Sequence, residues 1–440
     1  MSEPDTGRIH RDILKTLEPP GWRYYLLLGL ALLGVGVGAY CWAYQLRTGL
    51  GVAGINNPVG WGFYITNFVF WVGIAHSGTL ISAILYLLRA RWRTSIFRTA
   101  EAMTVFAIMT AGLFPLIHLG RPWRAYWLIP YLNQRDLWPN FQSPLVWDVF
   151  AVTTYLLVSL MFLYLGLIPD LAILRDHWKG VRRYLYGALS LGWRGSAREW
   201  RHYIQVYGFF AALATPLVVS VHSVVSWDFA MSIVPGWHST IFAPYFVAGA
   251  IHSGLAMVIT LLIPMRRAFG LHDYLTERHF ESLAKLVVVT GVIVGYSYLM
   301  EFFIAWYSGN PAEQGVFLYR ISGEYAVAFW GMVLFNSILP LAFLWRRVRT
   351  SIPALFVIGI LINAGMWLER LVIIVTSLSH DYLPYTWGSY RPTRIEVGIT
   401  VGSFCWFLLF FLIFLKTFPS MSITEMKEEA SRNGEGGGRP

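Results

Sequence analysis

The sequence predicts an all-α integral membrane protein of ten transmembrane helices, built as two parallel-repeat four-helix bundles plus two peripheral helices. Three observations carry this expectation. Apolar residues make up 56% of the 440-residue chain and charged residues 13%, against about 25% charged in ordinary soluble proteins. Ten predominantly apolar runs each approach or exceed the roughly 20 residues that a span requires. A His-Ser-Gly triplet inside one of these runs, His76-Ser77-Gly78, recurs inside another as His252-Ser253-Gly254.

The runs fall at 22–45, 60–88, 97–118, 144–173, 203–233, 239–266, 282–305, 320–347, 351–377 and 393–418. Residues 1–21 are polar and lead into a full-length first run, so a short cytoplasmic segment is expected rather than a cleaved signal peptide. With the N-terminus inside, the inner segments hold 26 lysines and arginines and the outer segments 7. That asymmetry places both termini in the cytoplasm. It also accounts for the net charge of +10: the cations face anionic membrane lipid, and no nucleic-acid partner is expected.

The two triplets lie 176 residues apart, and the same offset carries Asp148 onto Glu324. Runs two to five (60–233) and six to nine (239–377) each contain four helices. An even number keeps both copies in one orientation, as in a repeat about an axis along the membrane normal. The first and tenth runs, 22–45 and 393–418, are left at the periphery. Within the cytoplasmic tail 419–440, residues 424–440 are Gly- and charge-rich and are expected to be disordered.

Ionisable groups inside the bilayer cost about 2.5–3.5 kcal/mol each on insertion scales, so by default they mark function. His76 falls near mid-span and Asp148 near the outer end of its run. A histidine with a carboxylate in reach is suited to taking a proton from a hydroxyl substrate. A lone intramembrane histidine more often ties helices together; the in-register copy and carboxylates favour chemistry here. His222 and Ser226 share a helix face, and Asp228 lies nearer the outer end. His222, together with His252, Glu301, Glu324, Glu369 and Arg370 of the second bundle, is expected within the spans as a proton path. The Glu369-Arg370 neighbours are also readable as a local charge-compensating pair. Arg394 and Glu396 open the tenth run on the outer side.

Other centres are disfavoured. The histidines lack the repeated pairing of a bis-histidine haem. Cys41 and Cys405 cannot complete a four-ligand metal site and read as small buried apolar residues. No phosphate loop, nucleotide fingerprint or HExxH occurs. No bound haem, iron–sulfur cluster or metal is therefore expected. The outer loops 119–143 and 378–394 are rich in Trp, Tyr and Pro, which fits an interfacial aromatic belt and equally a docking surface.

Three strings are long and specific: WGFYITNFVFWVGIAHSG (61–78), HSVVSWDFAMSIVPGWHSTIFAPYFVAGAIHSG (222–254) and EYAVAFWGMVLFNSILPL (324–341). On them the chain, from about 20 to 418, resembles the NrfD/polysulfide-reductase membrane-subunit family. More narrowly it resembles the larger of the NrfD-like membrane subunits of bacterial alternative complex III. The resemblance implies a multi-pass subunit of the bacterial inner membrane that binds and oxidises menaquinol without a redox centre of its own. Its implied partners are c-type haem subunits, an outer-face iron–sulfur subunit and a sister NrfD-like subunit. The family's quinol pocket carries over to His76 and Asp148, with Asp228 and Arg394 beside them. Two rival classes stay open: a proton or ion transporter, motivated by the repeat and buried charge, and an anchoring subunit of another NrfD-type oxidoreductase.

Overall fold

The computed structural model describes residues 6–129 and 143–435, which contain helix and no strand. Among them ten helices are long and apolar enough to cross a bilayer. In order, spans 1 to 10 are Trp22–Thr48, Phe63–Leu87, Phe97–His118, Pro144–His177, Ala197–Ala230, Phe242–Phe269, Glu277–Ser308, Ala326–Leu344, Ile352–Ser379 and Arg394–Thr417. Each coincides with one of the apolar runs. The outer loop expected at 119–143 lies partly outside the described residues. Its described part, Pro122–Leu128, exposes Trp123 and Trp127.

Spans 2 to 5 pack in a ring, 2 on 3, 3 on 4, 4 on 5, and 5 back on the end of 2. Spans 6 to 9 pack in the same order, 6 on 7, 7 on 8, 8 on 9, and 9 back on 6. The two rings meet along spans 2 and 6; span 5 also touches 6, and span 9 touches 2. Spans 1 and 10 pair with each other, and span 10 rests on spans 2 and 3. Lipid gives helices no hydrophobic reason to associate, so close contact depends on small residues. Gly34 and Gly38 of span 1 accordingly lie against Cys405, Gly402 and Gly398 of span 10, and Cys41 lies against Gly398.

The same rule explains the repeated triplet. A methyl group at Gly254 would run into the Ser77 side chain, and one at Gly73 would touch Ser253 Oγ at 3.5 Å. The two triplets thus cross each other at the contact between the rings. Each ring also contains a π-helical turn, Leu80–Ile84 in span 2 and Leu334–Ile338 in span 8. Such turns locally re-aim side chains.

Three parts depart from the sequence-based expectation. Glu324 is not within a span: it occupies the turn before Ala326, is 38% exposed, and pairs with exposed Arg391 at 3.6 Å. The outer connection before span 8 holds a helix, Pro311–Ser322, started by Pro311 and by Asn310, whose side chain accepts from the Ala312 N–H at 2.9 Å. Those are ordinary helix-start signals that a count of apolar runs ignores. The C-terminal tail is not disordered through 435: Ile423–Glu435 is helical. Composition alone misses this because the tail is held by partners on other helices. Asp170 of span 4 accepts from both the Thr424 N–H (3.2 Å) and its hydroxyl (3.0 Å), and Arg93 pairs with Glu425 at 2.8 Å.

Candidate functional site

Spans 4 and 5 are antiparallel neighbours, so the start of one lies beside the end of the other. This brings together two Trp-Asp pairs far apart in sequence. The Trp147 and Trp227 rings meet edge to face at 5.9 Å between centroids. The carboxyl groups of Asp148 and Asp228 face each other within hydrogen-bonding reach. A hydrogen bond between two carboxyls needs one of them to carry the proton. Two carboxyls placed this way are compatible with one proton held between them.

A cavity of about 620 Å³ opens beside it. Trp147, Trp227, Met231, His238, Ser239 and Ile304 are among its walls, so spans 4, 5 and 7 and the 231–241 connection all contribute. It is a mostly apolar chamber with a few polar groups at one wall, the form taken by pockets for flat organic ligands.

His76 lies deeper. Its Nδ1 is 2.5 Å from the Val72 carbonyl, which only accepts, so Nδ1 carries the hydrogen and Nε2 is left as the basic nitrogen. Nε2 makes no hydrogen bond. The ring stacks on Tyr155 at 4.9 Å and lies 4.6 Å from the His222 ring. Tyr155 in turn donates to the Ala75 carbonyl at 2.9 Å and meets Thr79 Oγ1 at 2.7 Å. His222 has both ring nitrogens buried without a partner.

The expected His76–Asp148 contact is not formed. Tyr155 is seven residues beyond Asp148 on span 4, about 10 Å along the axis, and it is Tyr155 that touches His76. The structure instead gives two levels: the Asp148–Asp228 pair beside the cavity, and His76 with His222 below. Arg394 joins neither. It is exposed at the start of span 10, whose main neighbours are spans 1, 2 and 3. Next to it Glu396 is fully buried as a helix cap, accepting from the Thr393 N–H at 2.9 Å, the Gly54 N–H at 2.8 Å and the Tyr390 hydroxyl at 2.8 Å.

In the second ring, Glu369 and Arg370 pair at 2.9 Å and are both buried. Glu369 accepts from the Tyr298 hydroxyl and, at 3.4 Å, from Asn336. The π turn of span 8 brings Asn336 to this point. The Arg370 guanidinium lies 4.2 Å from the Phe246 ring centre, and the Phe246 ring lies 5.8 Å from that of His222. This links the lower level of the first ring to the polar centre of the second. Glu301 pairs with Arg320 at 3.6 Å. His252 meets Thr290 Oγ1 at 2.9 Å, and its ring and the Asn336 carbonyl both lie against Gly291.

Several polar residues escaped the sequence reading. Arg98, counted there among the inner cations, is 1% exposed and pairs with Asp170 at 3.0 Å. Glu101 accepts from Tyr207 at 3.0 Å. Charges inside an apolar run were the available signal for Asp170, Arg98 and Glu101. Tyr155, Tyr298 and Arg320 gave none, because a tyrosine or a loop arginine is ordinary until its neighbours are known. Among the described residues no group of three or more His, Cys, Asp or Glu side chains is arranged to hold a metal ion.

Fold and interior together define a multi-pass integral membrane protein with ionisable side chains buried between its helices. The sequence pattern described as polysulphide reductase, NrfD, matches residues 51–380, and the chain belongs to that family. It is 27% identical to a Halobacterium salinarum protein named as a membrane subunit of a dimethyl sulfoxide reductase, over 91% of this chain and 92% of the relative. It is 22% identical to the Hdr-like menaquinol oxidoreductase integral membrane subunit of Archaeoglobus fulgidus, over 94% and 99%. It is also 22% identical to the menaquinone reductase integral membrane subunit of Nitratidesulfovibrio vulgaris, over 86% and 87%.

Proposed function

We propose that this chain is the quinol-binding membrane subunit of a respiratory oxidoreductase, and that menaquinol is oxidised in the cavity beside Asp148 and Asp228. The observation that carries the reading is an apolar cavity walled by Trp147 and Trp227, each the chain neighbour of one member of the buried Asp148–Asp228 pair. A quinol headgroup is a flat ring with two hydroxyls, and its oxidation to the quinone releases two protons and two electrons. Trp147 and Trp227 offer the ring an aromatic surface, and the carboxyl pair accepts a proton. The relatives named for menaquinol and menaquinone support the substrate class.

The electrons leave through an iron–sulfur subunit docked over the Asp148 end, and from there to c-type haem subunits. This is the arrangement of an alternative complex III, with this chain as its larger NrfD-like subunit beside a smaller sister. Both termini then face the cytoplasm and the Asp148 end faces out, a reading supported by the lysine and arginine asymmetry. His76 and His222 relay protons from the lower level. His252, Glu301, Glu369 and Arg370 form a proton path through the second ring; Glu324, exposed on the surface, is not part of it.

The test is made on the assembled complex purified with Asp148→Asn, Asp228→Asn and His76→Ala. Menaquinol oxidation is expected to fall about 10²-fold or more in each, the usual scale for a lost general base. Retained turnover together with unchanged binding of a quinone-site inhibitor would end the assignment.

A further inference from the structure

One wall of the cavity is not built on a helix. The 231–241 connection between spans 5 and 6 supplies Met231, His238, Ser239 and Thr240. An irregular segment holds a ligand group in place only if something fixes its backbone. Here the fixing groups come from the other ring. The Gly236 N–H donates to Glu313 Oε2 at 2.7 Å, and the Gly236 carbonyl accepts from Arg320 Nη2 at 3.3 Å. Both partners lie on the outer helix Pro311–Ser322.

Arg320 is 1% exposed, and each guanidinium nitrogen is committed. Nε donates to Thr376 Oγ1 at 3.0 Å, Nη2 to Ser377 Oγ at 3.1 Å as well as to Gly236, and Nη1 pairs with Glu301 at 3.6 Å. Its face lies 4.4 Å from the Phe317 ring centre. Gly236 has φ +80°, and a Cβ there would come within 2.8 Å of Ser377 Oγ and 2.9 Å of Val316 Cγ1. Next to it the Trp237 indole donates to the Ile373 carbonyl at 2.7 Å, with its ring against Phe229 and Trp61. The connection is therefore pressed onto span 9 and the outer helix at one glycine. Two residues further on, His238 has Nδ1 committed to the Ser232 carbonyl at 3.0 Å, and Ser239 Oγ is buried with no partner.

We propose that Arg320 and Glu313 are positioning residues for the quinol headgroup: together they clamp Gly236 and so set where His238 and Ser239 stand in the cavity. The proposal rests on the quinol reading and extends it to the second ring. The cavity wall then depends on a buried cation shared with Glu301 of span 7. An arginine forks to several acceptors at once, and a lysine or a neutral side chain cannot replace it.

The experiment uses the assembled complex with Arg320→Met, Glu313→Ala and Glu313→Gln. Two quantities are read: hydrogen exchange of the 231–241 backbone, and menaquinol KM and kcat with the Kd of a quinone-site inhibitor. In Arg320→Met and Glu313→Ala the exchange is expected to quicken, while KM and Kd rise about tenfold or more and kcat stays within about threefold. Glu313→Gln keeps an acceptor oxygen for the Gly236 N–H and recovers most of the loss seen with alanine. If Arg320→Met does not assemble, the Glu313 pair decides, since that side chain is only half-buried. A purely structural role lowers the yield of complex and leaves KM and Kd of the assembled fraction alone; that result overturns the proposal. So does unchanged exchange. An unmodified complex that binds no quinone analogue defeats the quinol reading instead, and is seen before any variant is compared.

Discussion

The His76 and His222 rings lie 4.6 Å apart, tilted by 56°, in an interior closed to solvent. They come from spans 2 and 5, which close the first ring, and the Phe246 ring stands between His222 and Arg370 of span 9. Neither has a carboxylate partner. Two imidazoles so placed suit the relay role proposed for them above rather than a salt bridge.

If the two act as one unit, their losses do not multiply. His76→Ala and His222→Ala are each expected to lower quinol-oxidation kcat/KM about 10²-fold, and the double variant to add less than about tenfold to the worse single. Fully multiplicative losses in a double-mutant cycle would show two independent residues.

The triplet crossing has its own test. Gly254→Ala forces a methyl group into the Ser77 side chain, and overpacking of this kind costs about 1–3 kcal/mol. The thermal stability of the detergent-solubilised complex is expected to fall, and Ser77→Gly in the same chain to restore part of it, the Ile74 carbonyl at 3.0 Å remaining close. No rescue means that the two rings do not cross at this point.

Glu324 and Glu369 are expected to behave oppositely. Glu324 is an exposed partner of Arg391, and such pairs contribute about 0–1 kcal/mol, so Glu324→Gln leaves stability and turnover unchanged. Arg370→Met leaves Glu369 as an unpaired buried charge, at a cost of about 3–5 kcal/mol, and Glu369→Gln keeps the Tyr298 contact but strands the buried Arg370 cation at a similar cost. In sealed vesicles Glu369→Gln is expected to change the proton-to-electron ratio. An unaltered ratio removes the second-ring path.

The C-terminal helix offers a pH test. Burial pushes the Glu425 carboxyl above its ordinary value of 4.5, with Asp170 and Glu428 adding to the rise and Arg93 and Arg98 opposing it. The docked tail therefore holds a proton more tightly than a released one. Docking is strongest below 4.5 and weakens as pH rises through the raised value. Limited proteolysis within 423–435 is expected to be slower at acidic than at alkaline pH. Glu425→Gln flattens the dependence; an identical profile in that variant excludes Glu425 as its source.

Much of the site was legible because intramembrane charge is rare. His76, Asp148, Asp228, His222, Glu369 and Arg370 all stand out in apolar runs, and all are buried or half-buried. What linear spacing could not supply was depth and partner. Asp148 and Glu324 share an offset of 176, yet one begins a helix that packs inward and the other ends an exposed turn. His76 and Asp148 read as partners because both types suit one reaction, whereas Tyr155 stands at the level of His76.

Ten spans and an internal repeat follow from sequence alone, because the bilayer forces every backbone polar group into a helix and makes hydropathy nearly a ruler. The meeting of Asp148 with Asp228, of His76 with His222, and of Gly236 with Arg320 was decided only by tertiary structure. Each joins residues from different helices or from a helix and a connection, and which faces turn together is set by packing and small-residue contacts that no single run of sequence contains.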